Sequence, residues 1–217
     1  MSPLLYKDIE LLAEITEIKR IYSVIENSLL NYNPACLVVT SGFPGEGKTT
    51  IVALLSSIAA RQSDKRVLAL DLHWYNPDLH SWFGLEPAFD MDDLRQKKPI
   101  VDMAQSSGLN NLDILTARKS TQDEMEWDVD ASTLGMDIIR KAREAYDFVV
   151  VDTNSIFPTN RRMMDPVAIS RAADGVALVT LANVTPRQPL KRSRMFLETA
   201  GANVLGVIVN QWKNPLA

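Results

Sequence analysis

Residues Gly42, Phe43, Pro44, Gly45, Glu46, Gly47, Lys48 and Thr49 follow the pattern G-x-x-x-x-G-K-[ST]. Each residue type in that string has a chemical task. The glycines let successive backbone N–H groups turn inward around phosphate oxygens. Lys48 brings a positive charge to the β- and γ-phosphates, and Thr49 brings a hydroxyl to Mg²⁺. From ordinary residue frequencies, such a string arises by chance in a chain this long in about 1% of cases. The surroundings favour the phosphate reading further. Cys36 to Thr40 is a short apolar, β-rich run just before the loop, and Thr50 to Ala60 is an uninterrupted helical run just after it. Strand, glycine loop and helix is the order in which a helix N-terminus adds its dipole to an anion site.

A phosphate site also needs oxygen ligands for its metal. Two aspartates end apolar runs. Asp152 closes Phe148-Val149-Val150-Val151, and Asp71 closes Val67-Leu68-Ala69-Leu70. In a doubly wound sheet both leave from the carboxyl edge, where ligands bind. A polar residue at a strand end is as often only the start of a loop. The conjunction with the phosphate loop makes Thr49, Asp71 and Asp152 the candidate metal ligands, and Lys48 and Asp71 the candidate catalytic residues.

The elements that must position these side chains alternate along the chain. Asp8 to Asn27 reads as a helix, with Ile9, Leu12, Ala13, Ile18, Ile21, Tyr22 and Ile25 spaced along one apolar face. Leu112 to Leu115, Val176 to Thr180 and Val204 to Asn210 are further strand candidates. Thr133 to Tyr146 and Pro186 to Ala200 are the clearest late helices, the second opening on a proline in its first turn. Continuously apolar strands are covered on both faces, which implies a parallel sheet between helix layers. The expected fold is therefore α/β: a doubly wound, mostly parallel sheet of the P-loop type. One domain over 1–217 is expected, with residues 1–33 as an N-terminal helical arm and 34–217 as the nucleotide-binding core.

The 217 residues suffice to bury a core without disulfides or a structural metal. Cys36 is the only cysteine and falls in a strand candidate, where it reads as a small hydrophobe. The formal net charge of −4 argues against a general nucleic-acid binder. No signal peptide is read at the polar N-terminus, and no apolar run approaches the roughly 18 residues of a membrane span.

Longer stretches of this chain resemble the cytoplasmic kinase domain of bacterial tyrosine kinases, the BY-kinases of capsule and exopolysaccharide assembly, which are related to the MinD/ParA ATPases. Thr40-Ser41-Gly42-Phe43-Pro44-Gly45-Glu46-Gly47-Lys48-Thr49-Thr50 is similar to that family's Walker A motif. The segment from Asp71 to Gly84 is similar to its Walker A′ motif, with Pro77, Leu79, His80, Phe83 and Gly84 matching the frame. Tyr146 to Thr153 resembles Walker B, and Glu17-x-x-Arg20 has the spacing of the N-terminal oligomerisation motif. The resemblance implies ATP or ADP with Mg²⁺ held by residues Gly42 to Thr50. It makes Asn210 a candidate adenine contact. It implies an inner-membrane polysaccharide co-polymerase as activating partner, a cytoplasmic protein peripheral to that membrane, and a homo-oligomeric ring through the Glu17/Arg20 helix. The bland reading of Glu17 and Arg20, an i,i+3 pair on a helix surface, stands beside it.

The departures bear on mechanism. Phe43 stands where the MinD/ParA type carries its signature lysine, which disfavours a MinD/ParA-like ATPase that bridges a dimer. His73 stands in place of the second A′ aspartate, Tyr75 in place of the A′ arginine, and Asn154-Ser155 in place of Pro-Pro. Imidazole is a poor ligand for Mg²⁺. The five tyrosines are Tyr6, Tyr22, Tyr32, Tyr75 and Tyr146, none in the C-terminal position that the family phosphorylates. Two readings follow: a protein-tyrosine kinase, or a catalytically impaired pseudokinase that regulates a membrane co-polymerase through its nucleotide state. Two further features each have two readings. Arg187, Lys191 and Arg194 share a helix face that suits an acidic partner or solvent, and Trp74 and Trp82 suit a partner surface or the core.

Overall fold

The computed structural model describes residues 16–74, 76–87, 89, 93, 98–116, 131–157 and 164–211. The helix expected over Asp8–Asn27 is described from its second half: α1, Thr16–Ser28, turns Tyr22 and Ile25 into the core. Strand β1, Ala35–Ser41, is buried at every position and leads through the glycine loop into α2, Lys48–Gln62. The helix starts at Lys48 rather than Thr50 because Gly47, at φ 91°, supplies a left-handed cap that the chain leaves directly into helix. Strand β2, Val67–Asp71, follows, then a 3₁₀ turn over Leu79–Phe83 and a short helix α3, Ile100–Met103. Strands β3, Gln105–Ser106, and β4, Leu112–Thr116, come next. Helix α4, Ala131–Ala145, buries Ser132, Gly135, Ile138, Ile139 and Ala142, the 3.6-residue stripe expected of a helix laid on a sheet. The chain closes with β5, Phe148–Asp152; α5, Pro166–Ser170; β6, Gly175–Leu181; α6, Arg187–Thr199; and β7, Val204–Asn210.

The strands form one sheet in the order β3-β4-β2-β5-β1-β6-β7. Every pairing is parallel except that of β3 with β4. The expected doubly wound, mostly parallel P-loop sheet is the one observed. Alternate residues feed two cores. Leu37, Val39, Ala69 and Val150 pack with α1, α2 and the 3₁₀ turn, while Val38, Leu68, Leu70, Val149 and Val151 pack with α4 and α6. Fully burying a side chain of this size contributes about 1.5–3 kcal/mol, so the central strands anchor the fold. From Ile51 to Ala60 every residue of α2 is buried, so its sequence is apolar but for Ser56 and Ser57 and carries no amphipathic stripe.

Three expectations change. Strand β7 is apolar yet not covered on both faces, because it is the sheet edge: Val207 is 40% and Val209 64% exposed. Strand β3 carries no apolar pattern, since two residues, Gln105 and Ser106, pair with Ile114 and Asp113 through backbone groups. Trp74 and Trp82, at 4% and 9% exposure, belong to the core, which removes the partner-surface reading. Cys36 is buried as expected.

Candidate functional site

Parallel pairing brings the chemistry-bearing residues to one edge. In register, Asp71 on β2 lies beside Asp152 on β5, and Asp152 beside Val39 on β1, three residues before the glycine loop starts at Gly42. Side chains at one register of a parallel sheet point to one face, here the face of α2. Lys48 and Thr49 open α2 directly above them. Thr49 Oγ1 donates to Asp152 Oδ2 at 2.6 Å. The other oxygen of Asp152, Oδ1, is buried and has no hydrogen-bond partner within standard geometry among the described residues. Lys48 Nζ donates to Ser41 Oγ at 3.0 Å, and Ser41 Oγ donates to the Phe43 carbonyl at 2.7 Å. The lysine is thus folded back along its own loop.

The loop carries two glycines in left-handed conformation, Gly45 at φ 80° and Gly47 at φ 91°. A Cβ at Gly47 would collide with the side-chain amide of Asn210, which donates to the Glu46 carbonyl at 3.1 Å. Glu46 reaches back to accept the Phe43 N–H at 2.8 Å. The Phe43 ring leans on Phe157 at 6.0 Å between centroids, and Arg192 sits over Phe157 at 5.6 Å. An apolar packing contact thus occupies the place of a signature lysine.

Electrostatics divide the site. Burial pushes the Asp71 and Asp152 carboxyls above the usual carboxylate range, and Asp152 raises Asp71 further. Burial lowers the Lys48 pKa, while Asp152 and Glu46 work to keep it charged. A buried carboxylate pair beside one ammonium favours an arriving cation. Thr49 and Asp152 fit Mg²⁺: a hydroxyl and a carboxylate whose Oδ1 is buried without a partner among the described residues, both hard oxygen donors. Asp71 fits less well. Its Oδ1 accepts the His73 N–H at 2.9 Å, and its Oδ2 accepts the Asp78 and Leu79 N–H groups at 3.2 Å each. Both of its oxygens hold the segment that follows β2. His73 is pulled down to about 4, by burial first and by Lys48 second, so its imidazole is neutral at ordinary pH.

Other predicted residues lie apart from this cluster. Glu17 and Arg20 are exposed on α1, and Arg20 lines a groove of about 390 Å³ against β7. Arg187, Lys191 and Arg194 are exposed on α6, with Arg194 paired to Glu198 at 2.7 Å. Tyr22 and Tyr146 are buried with their hydroxyls on Glu26 and Asp113, Tyr32 is exposed, and Tyr6 and Tyr75 lie outside the described residues. Asn154, in place of a family proline, donates to the Met164 carbonyl at 3.1 Å. A cavity of about 450 Å³ lined by Tyr22, Glu26, Tyr32 and Lys65 lies at the opposite, amino edge of the sheet. Sequence reasoning missed Ser41 and Thr185. Ser41 stands one residue before the motif and is legible in principle from its T-S opening. Thr185 bonds Glu46 across 139 residues and leaves no local signal.

No family model matches the chain. It is 29% identical over 187 residues to tyrosine-protein kinase YwqD of Bacillus subtilis, covering 86% of this chain and 76% of that protein. It is 28% identical over 181 residues to succinoglycan biosynthesis transport protein ExoP of Rhizobium meliloti, covering 81% of this chain. The chain spans 22% of ExoP, and 23% of the tyrosine-protein kinase Etk of Escherichia coli, to which it is 26% identical over 80% of its own length. Among solved structures, the kinase domain of Escherichia coli ETK superposes with a TM-score of 0.75 at 22% identity, over 92% of this chain and 77% of that one. MinD of Pyrococcus horikoshii, solved with Mg-ADP, superposes with a TM-score of 0.68 at 24% identity, over 82% of this chain and 70% of that one. The chain has the P-loop NTPase fold seen in BY-kinase domains and in MinD, and its relatives include bacterial tyrosine-protein kinases.

Proposed function

We propose that the chain binds ATP or ADP with Mg²⁺ on the loop from Gly42 to Thr50 and acts as a BY-kinase-like regulator of exopolysaccharide or capsule synthesis and export. One observation carries the nucleotide reading. Thr49 is bonded to Asp152, whose second oxygen is buried without a hydrogen-bond partner among the described residues, beside a desolvated Lys48 at the start of α2. Loop N–H groups and Lys48 hold the phosphates, and Thr49 and Asp152 hold the metal. When bound, Mg²⁺ neutralises charge on the phosphate oxygens. The polysaccharide role is supported by similarity to tyrosine kinases and to ExoP. An inner-membrane co-polymerase is then the activating partner, and the chain is peripheral to that membrane. Among the described residues no helix is long and apolar enough to cross one. A ring of copies through the Glu17/Arg20 helix belongs to the same proposal. A MinD/ParA-like ATPase is the weaker reading, because Phe43 packs on Phe157 where that type needs a lysine.

A specific observation favours a second reading, a nucleotide-dependent regulator with weak or no phosphoryl transfer. Asp71 spends both oxygens on backbone N–H groups, and His73 replaces the other A′ carboxylate. A neutral His73 can still accept a proton from an acceptor tyrosine. One experiment separates the readings. The purified chain is incubated with ATP, Mg²⁺ and the cytoplasmic segment of the membrane partner. Phosphotyrosine that disappears in Lys48→Ala supports the kinase. Nucleotide binding without phosphotyrosine supports the regulator, and a gain of transfer in His73→Asp then identifies the lesion.

A further inference from the structure

The phosphate loop is held from outside as well as from within. Glu46, inside the loop, is 3% exposed, and a carboxylate so buried needs partners for both oxygens. Oε2 accepts the Phe43 N–H at 2.8 Å, which closes the loop on itself. Oε1 accepts from Thr185 Oγ1, in the connection between β6 and α6. The valence of the hydroxyl fixes the direction of that bond. The Leu181 N–H donates to Thr185 Oγ1 at 3.1 Å, so the oxygen is already an acceptor there. Its own hydrogen is left for the carboxylate, which when ionised can only accept. Thr185 also donates its backbone N–H to the Leu181 carbonyl at 3.0 Å, so the turn carrying the hydroxyl is itself pinned.

The end of β7 grips the same loop residue from another side. Asn210 donates its side-chain amide to the Glu46 carbonyl at 3.1 Å, and the Ala182 N–H donates to the Asn210 carbonyl at 2.8 Å. Two strand ends outside the glycine motif, those of β6 and β7, thus converge on Glu46. The same carboxylate acts on Lys48 to favour its ammonium form.

We propose that Thr185 is a positioning residue for nucleotide binding. Its hydroxyl holds the Glu46 carboxylate, and through it the turn from Phe43 to Glu46, in the form that presents the loop N–H groups and Lys48 to phosphates. The proposal rests on the nucleotide reading above. Without the hydroxyl, Oε1 loses its partner and Glu46 is released from its buried position. The incoming nucleotide must then order the loop itself, and affinity falls by that ordering cost.

The test is calorimetric titration of ADP with Mg²⁺ into the purified chain. Thr185→Val keeps the shape and removes the hydroxyl; it is expected to bind ADP about tenfold more weakly. Thr185→Ser restores affinity to within about twofold, since the hydroxyl carries the effect. Tyr146→Phe is the stability control: it removes a hydroxyl bond to Asp113 at 2.9 Å, and lowers the melting temperature without changing ADP affinity. Should Thr185→Val not fold, Glu46→Gln reads the same contact, because it offers an amide where two acceptors are needed; about tenfold weaker binding is again expected. ADP affinity equal to wild type in Thr185→Val, or in Glu46→Gln, overturns the strut and leaves the nucleotide reading standing. A wild-type chain that takes up no ADP overturns the nucleotide reading itself.

Discussion

Strands β2 and β5 lie side by side and end on aspartates at the same register. Asp152 gives one oxygen to Thr49 and keeps the other without a hydrogen-bond partner among the described residues. Asp71 gives both oxygens to the N–H groups of His73, Asp78 and Leu79. Burial raises the pKa of both, so neither arrangement is free of cost. One carboxylate stays available to a visitor, and the other serves the chain that follows it. The difference teaches that a motif position fixes where a side chain starts, while the next loop decides whether its atoms remain free.

The sharpest way to break this comparison is to remove each carboxylate. Asp71→Ala leaves three N–H groups without their acceptor and is expected to lower stability by about 3 kcal/mol or more. The change reads as a lower denaturant midpoint at unchanged slope. Asp152→Asn keeps an acceptor for Thr49, leaves stability within about 1 kcal/mol, and removes the Mg²⁺ dependence of nucleotide binding. If Asp152→Asn unfolds the chain while Asp71→Ala only loses Mg²⁺, the assignment is reversed.

Lys48→Met probes the phosphate half alone. Losing charge-assisted bonds to phosphate is expected to weaken ADP binding by about tenfold to a hundredfold in titration. A smaller loss than in Thr185→Val would move the weight of binding from the lysine to the loop backbone.

His73 sharpens the other half through pH. Its folded value of about 4 lies below the ordinary value for histidine. Between pH 4 and 6.5 the unfolded chain therefore binds a proton that the folded chain does not, and stability falls as pH drops through that window. Melting curves of wild type against His73→Gln should coincide above about pH 7.5. Below about pH 6.5 the wild type should lose several degrees relative to the variant. A constant difference would put the imidazole in solvent and remove it from the buried site.

The smallest effect on stability is expected from Glu17→Ala, on an exposed face that neither half of the site touches. Melting should shift by no more than about 0.5 kcal/mol. Light scattering carries the information: a lower mass supports a ring, and an unchanged mass leaves only a helix-surface pair.

Much of this was legible along the chain, for physical reasons. Strands β1, β2 and β5 are buried on both faces, so their apolar runs are unbroken and their terminal aspartates stand out. The glycine loop is local chemistry with local spacing. What escaped is non-local or made by backbone. The Glu46–Thr185 bond joins residues 139 apart. The partners of Asp71 are N–H groups, which every residue but proline carries and no pattern reveals. Strand β7 has the composition of an interior strand but the position of an edge, and position follows from sheet order rather than from composition.

Helix α2 begins at the phosphate loop and is enclosed on all sides from Ile51 to Ala60. Such a helix has nowhere to slide or rotate without opening voids in the dense core around it. It works as an anvil rather than a lever. Whatever nucleotide occupancy changes must leave the site through the connections along the carboxyl edge. In amide exchange, α2 should stay among the slowest segments with or without ADP, and the visible response should sit in the segments after β2 and β6.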